Sequence, residues 1–120
     1  MSGGGDGRFP ATMRLKYRRD FQAVYREGAV WKGPCFSLHI LKREKKRIGI
    51  VIPRKWGTAV ERNRMKRRLR EAFRRNAHLF PNADIIVKPT IECRDETIDR
   101  IAQMLIEAVK EVVQTEVADG

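Results

Sequence analysis

The stretch that most constrains the fold of this chain is 62–75, which carries eight Lys or Arg side chains among fourteen residues. Only Glu71 opposes them, so the local net charge is +7. No Pro or Gly interrupts residues 59–77. The apolar residues of the stretch recur at helical spacing as Met65, Leu69, Ala72 and Phe73. This pattern predicts an amphipathic helix that docks on a core through one narrow apolar edge.

The start of this helix is marked by its own signal. Thr58 follows Gly57, and Glu61 follows three residues later. A Thr hydroxyl can accept from the backbone of the first turn while the Glu carboxylate reaches back, which makes a capping box. We therefore expect the helix to begin directly after Thr58.

The charge of the chain indicates a polyanionic partner. Lys and Arg number 26 against 15 Asp and Glu, a net charge of +11. Residues 92–120 hold eight acids and three bases, a net of −5, so residues 1–91 carry +16. Solvated surface helices usually mix the two signs, and like charges along one helix repel. Phosphate backbones reward such clustering through counterion release, so we predict nucleic-acid binding.

The remaining patterns predict a single α+β domain, a small mixed sheet packed by helices. The expected element order is α-β-β-α-β-α. The predicted elements around the basic helix are helices over Tyr17–Glu27 and Asp95–Thr115, with strands over Cys35–Leu41, Arg47–Ile52 and Asp84–Lys88. We expect residues 1–14 to be a disordered or irregular N-terminal extension. Residues 15–115 would form one nucleic-acid-binding domain, and 116–120 a flexible tail.

Several classes of protein are disfavoured by what the pattern lacks. No apolar run approaches 18 residues and no signal-peptide segment is present, which favours a cytoplasmic location without membrane contact. Cys35 and Cys93 belong to no CxxC pattern, so two free thiols are expected. The acids of residues 1–91 are scattered, and His39 and His78 have no ligand-spaced partners. We therefore predict neither a metal site nor catalysis by the protein itself.

Two motifs resemble a known family. The first is Arg54-Lys55-x-Gly57-x-Ala59-Val60-x-Arg62-Asn63-Arg64-x-Lys66-Arg67-x-x-Arg70, and the second is Asp20-Phe21-Gln22-x-Val24-Tyr25-x-x-Gly28. The first resembles the signature of the bacterial ribonuclease P protein subunit, and the second is similar to that family's first helix. The resemblance extends over about residues 15–113. Pro53 and Trp56 depart from the family pattern, which has a small polar and an aliphatic residue there.

The resemblance implies a non-catalytic subunit of an endonuclease whose chemistry belongs to an RNA. That enzyme removes the 5′ leader of precursor tRNA with Mg²⁺ held mainly by the RNA, so the implied partners are ribonuclease P RNA and precursor tRNA, with no obligate protein partner. It also implies a left-handed β-α-β crossover, against the general rule. The residues implied to contact the catalytic RNA are Arg54, Lys55, Arg62, Asn63, Arg64, Lys66, Arg67, Arg68 and Arg70.

The same resemblance implies a cleft for the single-stranded leader between the first helix and the open face of the sheet. The residues at matching positions are Tyr17, Phe21, Tyr25, Phe36 and His39. Aromatic faces stack on any base, which suits leaders of varied sequence. Core packing is the competing interpretation for three of them, because Phe36 shares a strand face with Leu38 and Ile40, and Phe21 and Tyr25 lie on an amphipathic helix.

Two other classes remain open on the sequence alone. A structural ribosomal protein would have similar size and charge, but it would need no aromatic groove. A DNA-binding protein would insert the basic helix into a major groove, yet cations that ring this helix leave no defined set of base-reading residues.

Overall fold

The computed structural model describes residues 10–119, with side chains described through residue 114. The predicted disorder of residues 1–9 lies outside that range. The helices are α1 (Arg18–Glu27), α2 (Ala59–Arg75) and α3 (Ile98–Asp119), and the strands are β1 (Ala29–Lys32), β2 (Phe36–Lys42), β3 (Arg47–Ile50) and β4 (Ala83–Pro89). The described order is therefore α-β-β-β-α-β-α, and the predicted α+β class is confirmed.

The four strands form one sheet in the order β1-β2-β4-β3. β2 pairs antiparallel with both β1 and β4, whereas β3 pairs parallel with β4. Parallel neighbours need a crossover connection, and α2 supplies it. The mixed sheet and the β-α-β unit through the basic helix are confirmed, and the left hand of that unit stays a prediction.

The sequence-based element order was wrong in omitting β1. This strand has only four residues and lies between Gly28 and the Gly33-Pro34 turn, so its alternation is too short to stand out. β1 pairs with β2 so that Val30 lies opposite His39 and Lys32 lies opposite Ser37. β1 therefore widens the sheet by one edge strand beside α1.

One face of the sheet, called here the core face, is covered by α2 and α3. Strand side chains on this face include Phe36, Leu38, Ile85 and Val87, and each is at most 1% exposed. The apolar edge of α2 and the apolar side of α3, from Ile101 to Val112, pack against them in one cluster. Most of the burial that stabilises the domain lies here.

The opposite face, called the α1 face, has a much smaller core of Leu15, Val24 and Ile86. Phe21 of α1 packs directly on β3, where a Cβ at Gly49 would lie 2.7 Å from the Phe21 ring. The ring therefore requires a glycine beneath it. Phe21 is partly buried by this contact.

A buried carboxylate also holds α1 to the sheet. Asp84 of β4 is fully buried and accepts two hydrogen bonds of 2.8 Å from Arg47 and one of 3.2 Å from Arg43. Arg47 also donates to Asp20 of α1 at 3.3 Å. The bond to Asp84 raises the pKa of Arg47 above its usual value. Because a buried charge needs partners, this network fixes Arg47 between strand and helix.

The ends of the domain differ from the predicted boundaries. Arg14 bridges to Ile48, and the Leu15 amide donates to the Ile48 carbonyl at 3.0 Å, so the lead-in lies along the outer edge of β3. α3 begins at Ile98, not at Asp95, because the Thr97 hydroxyl accepts from the Arg100 amide and caps the first turn. The helix also continues to Asp119, beyond the predicted end at Thr115 and through most of the predicted tail.

Candidate nucleic-acid interface

The basic helix begins as its sequence predicts. The Thr58 hydroxyl accepts from the Glu61 amide at 3.1 Å, and the Thr58 amide donates to the Glu61 carboxylate at 2.8 Å. These hydrogen bonds lower the pKa of Glu61. The predicted apolar edge is confirmed, because Met65, Leu69, Ala72 and Phe73 are all buried. The cations of α2 therefore project away from the core face.

The cations of α2 differ in their partners within the protein. Arg74 and Arg75 both pair with Glu71. By contrast, Arg64, Lys66 and Arg67 make no hydrogen bond or salt bridge within the part of the chain that the structure describes. Arg64 and Arg67 are exposed. Because these three side chains make no such bond, their charges are available to bind phosphate groups.

Two predicted contact residues also have an internal role. Arg62 donates to the Gly57 carbonyl at 2.6 Å and to the Arg54 carbonyl at 3.3 Å. Arg68 donates to the Arg94 carbonyl at 2.6 Å. A guanidinium has five donors, so each keeps others for an outside partner. These two residues therefore connect α2 to its neighbouring turns as well as adding to its charge.

The rest of the predicted RNA-contact set lies around these residues. Arg54 and Lys55 are exposed on a 3-10 turn just before α2, and Asn63 is exposed on its first turns. Arg70 is half-buried, and burial together with nearby Arg14 lowers its pKa. We call the whole set the basic surface: Arg54, Lys55, Arg62, Asn63, Arg64, Lys66, Arg67, Arg68 and Arg70.

A second candidate surface lies on the α1 face, where α1 leaves part of the sheet uncovered. The Tyr25 and His39 rings meet edge to face with centroids 4.8 Å apart. The Lys88 ammonium lies 4.5 Å from the centre of the Tyr25 ring. Tyr25 remains 39% exposed. One aromatic pair and one cation are thus presented together.

Register adds further residues to this surface. Val30 and His39 are opposite each other, as are Lys32 and Ser37, and Ser37 is also opposite Lys88. Directly opposed residues share a face of the sheet. We call the resulting set the aromatic–lysine surface: Tyr25, Val30, Lys32, Ser37, His39 and Lys88. Sequence reasoning missed Val30 and Lys32 because β1 was not recognised, although the alternation Ala29-Val30-Trp31-Lys32 was the available signal. It missed Ser37 and Lys88 because the pairing of β2 with its two neighbours was not predicted.

The surroundings of His39 disfavour its protonated form. Burial, followed by the charges of Lys88 and Lys32, lowers its pKa. Its Nδ1 is buried and has no hydrogen-bond partner among the described residues. The imidazole of His39 offers a ring face and a nitrogen, while Lys32 and Lys88 supply positive charge beside it.

The structure separates the five residues predicted for the leader. Tyr25 and His39 are adjacent, and Phe21 lies one helical turn away over Gly49. Tyr17 is 59% exposed just before α1, with the Arg19 guanidinium 5.4 Å from its ring. The assignment of Phe36 to this cleft was wrong. Phe36 is 1% exposed on the core face, because its strand position alternates with that of His39, and it packs against Trp31.

The family of this chain follows from comparison with known proteins. The model of the family described as ribonuclease P matches residues 9–113, nearly the whole chain.

The chain belongs to this family.

Ribonuclease P protein components of two organisms show the extent of the match. The protein of Thermotoga maritima is 38% identical over 91 residues, which are 73% of this chain and 78% of that protein. The protein of Thermus scotoductus is 42% identical over 98 residues, 82% of this chain and 59% of that protein.

Solved structures give the same result. The ribonuclease P protein from Thermotoga maritima superposes with a TM-score of 0.74 at 33% identity, over 82% of this chain and 96% of that one. The Staphylococcus aureus protein gives 0.70 at 28% identity, over 87% and 94%. The fold is therefore that of the ribonuclease P proteins, and the chain is a protein component of this RNA-containing endoribonuclease, with a general role in tRNA 5′ processing.

Residues 10–119 of this ribonuclease P protein also bear on metal, membrane and thiol chemistry. No group of three or more His, Cys, Asp or Glu side chains could hold a metal ion there. No helix in that range is long and apolar enough to cross a membrane. Cys35 and Cys93 are free thiols, and burial raises the pKa of Cys93 to about 12. Cys93 is 0% exposed and packs in the core cluster.

Proposed function

We propose that this ribonuclease P protein binds the catalytic RNA through the basic surface and the single-stranded 5′ leader of precursor tRNA on the aromatic–lysine surface. It thereby promotes Mg²⁺-dependent removal of the leader by the RNA. The observation that carries the proposal is the separation of these two cationic surfaces on opposite sides of one sheet. Two RNA segments can then be bound at once without competing for the same side chains.

The basic surface suits a structured RNA backbone. Arg64, Lys66 and Arg67 extend from a rigid, capped helix without internal salt bridges among the described residues. Arg predominates over Lys in α2, and its planar guanidinium binds phosphate oxygens in pairs. Because α2 is anchored by four buried side chains, the spacing of these cations is fixed before RNA arrives.

The aromatic–lysine surface suits a single strand. The Tyr25 and His39 rings offer stacking area for bases, and Lys32 and Lys88 offer charge for the phosphates beside them. Stacking of this kind accepts every base and contributes about 1–3 kcal/mol per base. Tyr17 and Phe21 flank this surface along α1.

The proposal assigns Mg²⁺ to the RNA. The described side chains offer no metal-ligand cluster. The protein would act by positioning RNA and neutralising phosphates, which leaves the hydrolysis to the metal and RNA.

The deciding experiment is cleavage of precursor tRNA at low Mg²⁺ by a bacterial ribonuclease P RNA, with and without this protein. Stimulation that also requires the RNA is the expected result. Tight RNA binding without stimulation would contradict the proposal and favour a purely structural RNA-binding role.

The basic surface is tested by salt dependence. If about six phosphates are neutralised, log K against log[salt] should slope near −4 to −5. Arg67→Ala should weaken binding to the catalytic RNA and reduce the slope by roughly one unit. The matched control is Arg75→Ala on the same helix, which removes a cation already paired with Glu71 and should change the slope less. Equal slopes for Arg67→Ala and the wild type would remove Arg67 from the contact set.

The leader surface is tested by comparing substrates. Tyr25→Ala should weaken binding of precursor tRNA by about 1–3 kcal/mol, the value of one stacked base. Binding of mature tRNA, which has no leader, should be unchanged and serves as the control. The measurement is the dissociation constant of each tRNA from the assembled RNA–protein complex. Equal losses for both tRNAs would refute the assignment.

A further inference from the structure

The two cysteines of the chain are brought together by the pairing of β2 with β4, although they stand 58 positions apart in the sequence. Cys35 directly precedes β2, and the next residue, Phe36, lies opposite Pro89 at the end of β4. The register therefore carries Cys35 opposite Thr90. The Thr90 amide donates to the Cys35 carbonyl at 2.8 Å, which extends the strand pairing by one residue. The start of β2 is thus fixed beside the segment that leads to Cys93.

A 3-10 turn over Ile91–Cys93 brings the second thiol back to the first. The Cys93 amide donates to the Thr90 carbonyl at 3.1 Å, and the Thr90 hydroxyl donates to the Pro34 carbonyl at 2.7 Å. Cys93 belongs to the large core cluster, and Cys35 packs against that cluster. Burial raises the pKa of Cys93, and interaction with the Cys35 side chain raises it further. The two thiols are therefore neighbours in the folded protein.

The two thiols differ in their access to solvent. Cys35 is half-buried and lines a groove of about 220 Å³, together with Trp31 and Met104. Cys93 is 0% exposed. A small oxidant dissolved in water therefore reaches the sulfur of Cys35 before that of Cys93. A buried thiol in apolar surroundings is also slow to react with an outside reagent, so the natural reaction partner of Cys93 is the side chain beside it.

We propose that Cys35 and Cys93 form a reversible disulfide when the protein meets a hydroperoxide, with Cys35 oxidised first and Cys93 completing the bond. In the first step the Cys35 sulfur attacks the peroxide, whose O–O bond breaks, and a sulfenic acid and an alcohol form. In the second step the Cys93 sulfur attacks the Cys35 sulfur. The S–S bond forms as the S–O bond breaks, and the hydroxyl leaves with the Cys93 proton as water. A dithiol reductant restores both thiols by exchange.

The disulfide would stabilise the fold by closing a long segment of chain. It would link the start of β2 to the turn between β4 and α3, and a bridge over so many residues removes much freedom from the unfolded chain. The residue that follows this turn, Arg94, accepts a hydrogen bond from Arg68 of α2 at its carbonyl, so the bond would also fix a support of that helix. Neither cysteine belongs to the basic surface or the aromatic–lysine surface, so the inference does not depend on the proposed RNA contacts.

The test treats the full-length folded protein with hydrogen peroxide and follows the products by mass spectrometry. The chain has two cysteines, so the expected bond joins the Cys35 and Cys93 peptides in a non-reducing digest, and a dithiol should release them again. The same reaction is run with dimedone, which traps sulfenic acids. The folded protein should still give the disulfide, because Cys93 is already in place. The urea-unfolded chain should give the trapped adduct. Disulfide-linked dimers as the main product, or equal trapping in the folded and unfolded protein, would overturn the proposal.

Single variants assign the two roles. In Cys93→Ala the reaction should stop at the sulfenic acid of Cys35, which dimedone then captures. In Cys35→Ser the remaining thiol should stay available to alkylation after unfolding, because peroxide does not reach Cys93 in the folded protein. Loss of that thiol at the wild-type rate would contradict the order of the two steps. If circular dichroism shows that Cys93→Ala is unfolded, Cys35→Ser and the wild-type trapping experiment still decide.

Thermal unfolding measures the consequence of the bond for the fold. The oxidised wild-type protein should unfold at a temperature on the order of 10 °C above that of the reduced protein. Cys35→Ser treated with the same peroxide is the matched control, and its midpoint should not rise. A disulfide that forms without raising the midpoint would overturn the stabilising role. Each of these outcomes is independent of whether the protein stimulates cleavage.

Discussion

The two faces of the sheet are built from the same strands but differ in what covers them. The core face contributes to a cluster of twenty buried residues, whereas the cluster on the α1 face has three, counted over the described side chains. β4 shows the contrast within one strand, since Ile85 and Val87 point into the large core while Asp84 and Lys88 point to the other side. Stability is concentrated on one face, which leaves the other free to carry polar and aromatic groups for binding.

The largest expected difference in stability between the two faces comes from truncating one aromatic residue on each. Phe36→Ala should lower the free energy of unfolding by about 3–5 kcal/mol, the usual effect of a large cavity in a core. Tyr25→Ala, on the α1 face, should lower it by less than about 1 kcal/mol. Urea unfolding followed by circular dichroism measures both. Similar losses for the two variants would mean that the faces share the stabilising role.

The second prediction concerns the polar network on the α1 face. Asp84→Asn should lower the free energy of unfolding by about 2–3 kcal/mol, because it leaves Arg47 and Arg43 without their shared carboxylate. This is below the usual loss for a broken buried pair, since both guanidinium groups remain partly exposed. Asp20→Asn is the control and should lose under about 1 kcal/mol, because Arg47 keeps its bonds to Asp84. If the two variants lose the same stability, the burial of Asp84 does not make its bonds to Arg47 and Arg43 more stabilising than the bond from Arg47 to Asp20.

The smallest effect is the pH dependence contributed by His39. Its folded-state pKa lies below the unfolded value of about 6.5, so the unfolded chain binds more protons between the two. Stability from this residue is therefore complete above pH 6.5, falls as pH drops through that value, and levels off below the folded-state pKa. His39→Asn should flatten this part of the profile, whereas His78→Asn, at an exposed position, should not. Urea midpoints at pH 7.5 and 5.5 provide the measurement, and an unchanged difference in His39→Asn would exclude His39 as its source.

The sequence predicts a region well when the interactions that form it are local, and poorly when they join residues far apart in the chain. The cap, apolar edge and cationic sides of α2 depend on residues within a few positions of each other, and all were predicted. The burial of Asp84 depends on Arg47, 37 positions away, and local pattern gave no sign of it. β1 was missed because a four-residue strand has little periodicity of its own.

The leader residues show the same limit. Alternation along β2 correctly put Phe36 and His39 on opposite faces, but family resemblance grouped them in one cleft. The structure follows the alternation. Lys32 and Lys88 were not predicted because only the pairing of β1 with β2, and of β2 with β4, brings them to the same surface.

Because synthesis starts at the N-terminus, the central strand β4 is made after both of the strands that it pairs with. β2 ends at Lys42 and β4 at Pro89, so 47 residues separate the completion of two adjacent strands. At about 5–20 residues per second, synthesis of that interval takes roughly 2–10 s. During this interval β3 and the basic helix are synthesised, but β4, the strand that pairs with β3, does not yet exist. The most cationic part of the protein is thus complete before the strand on which its fold depends.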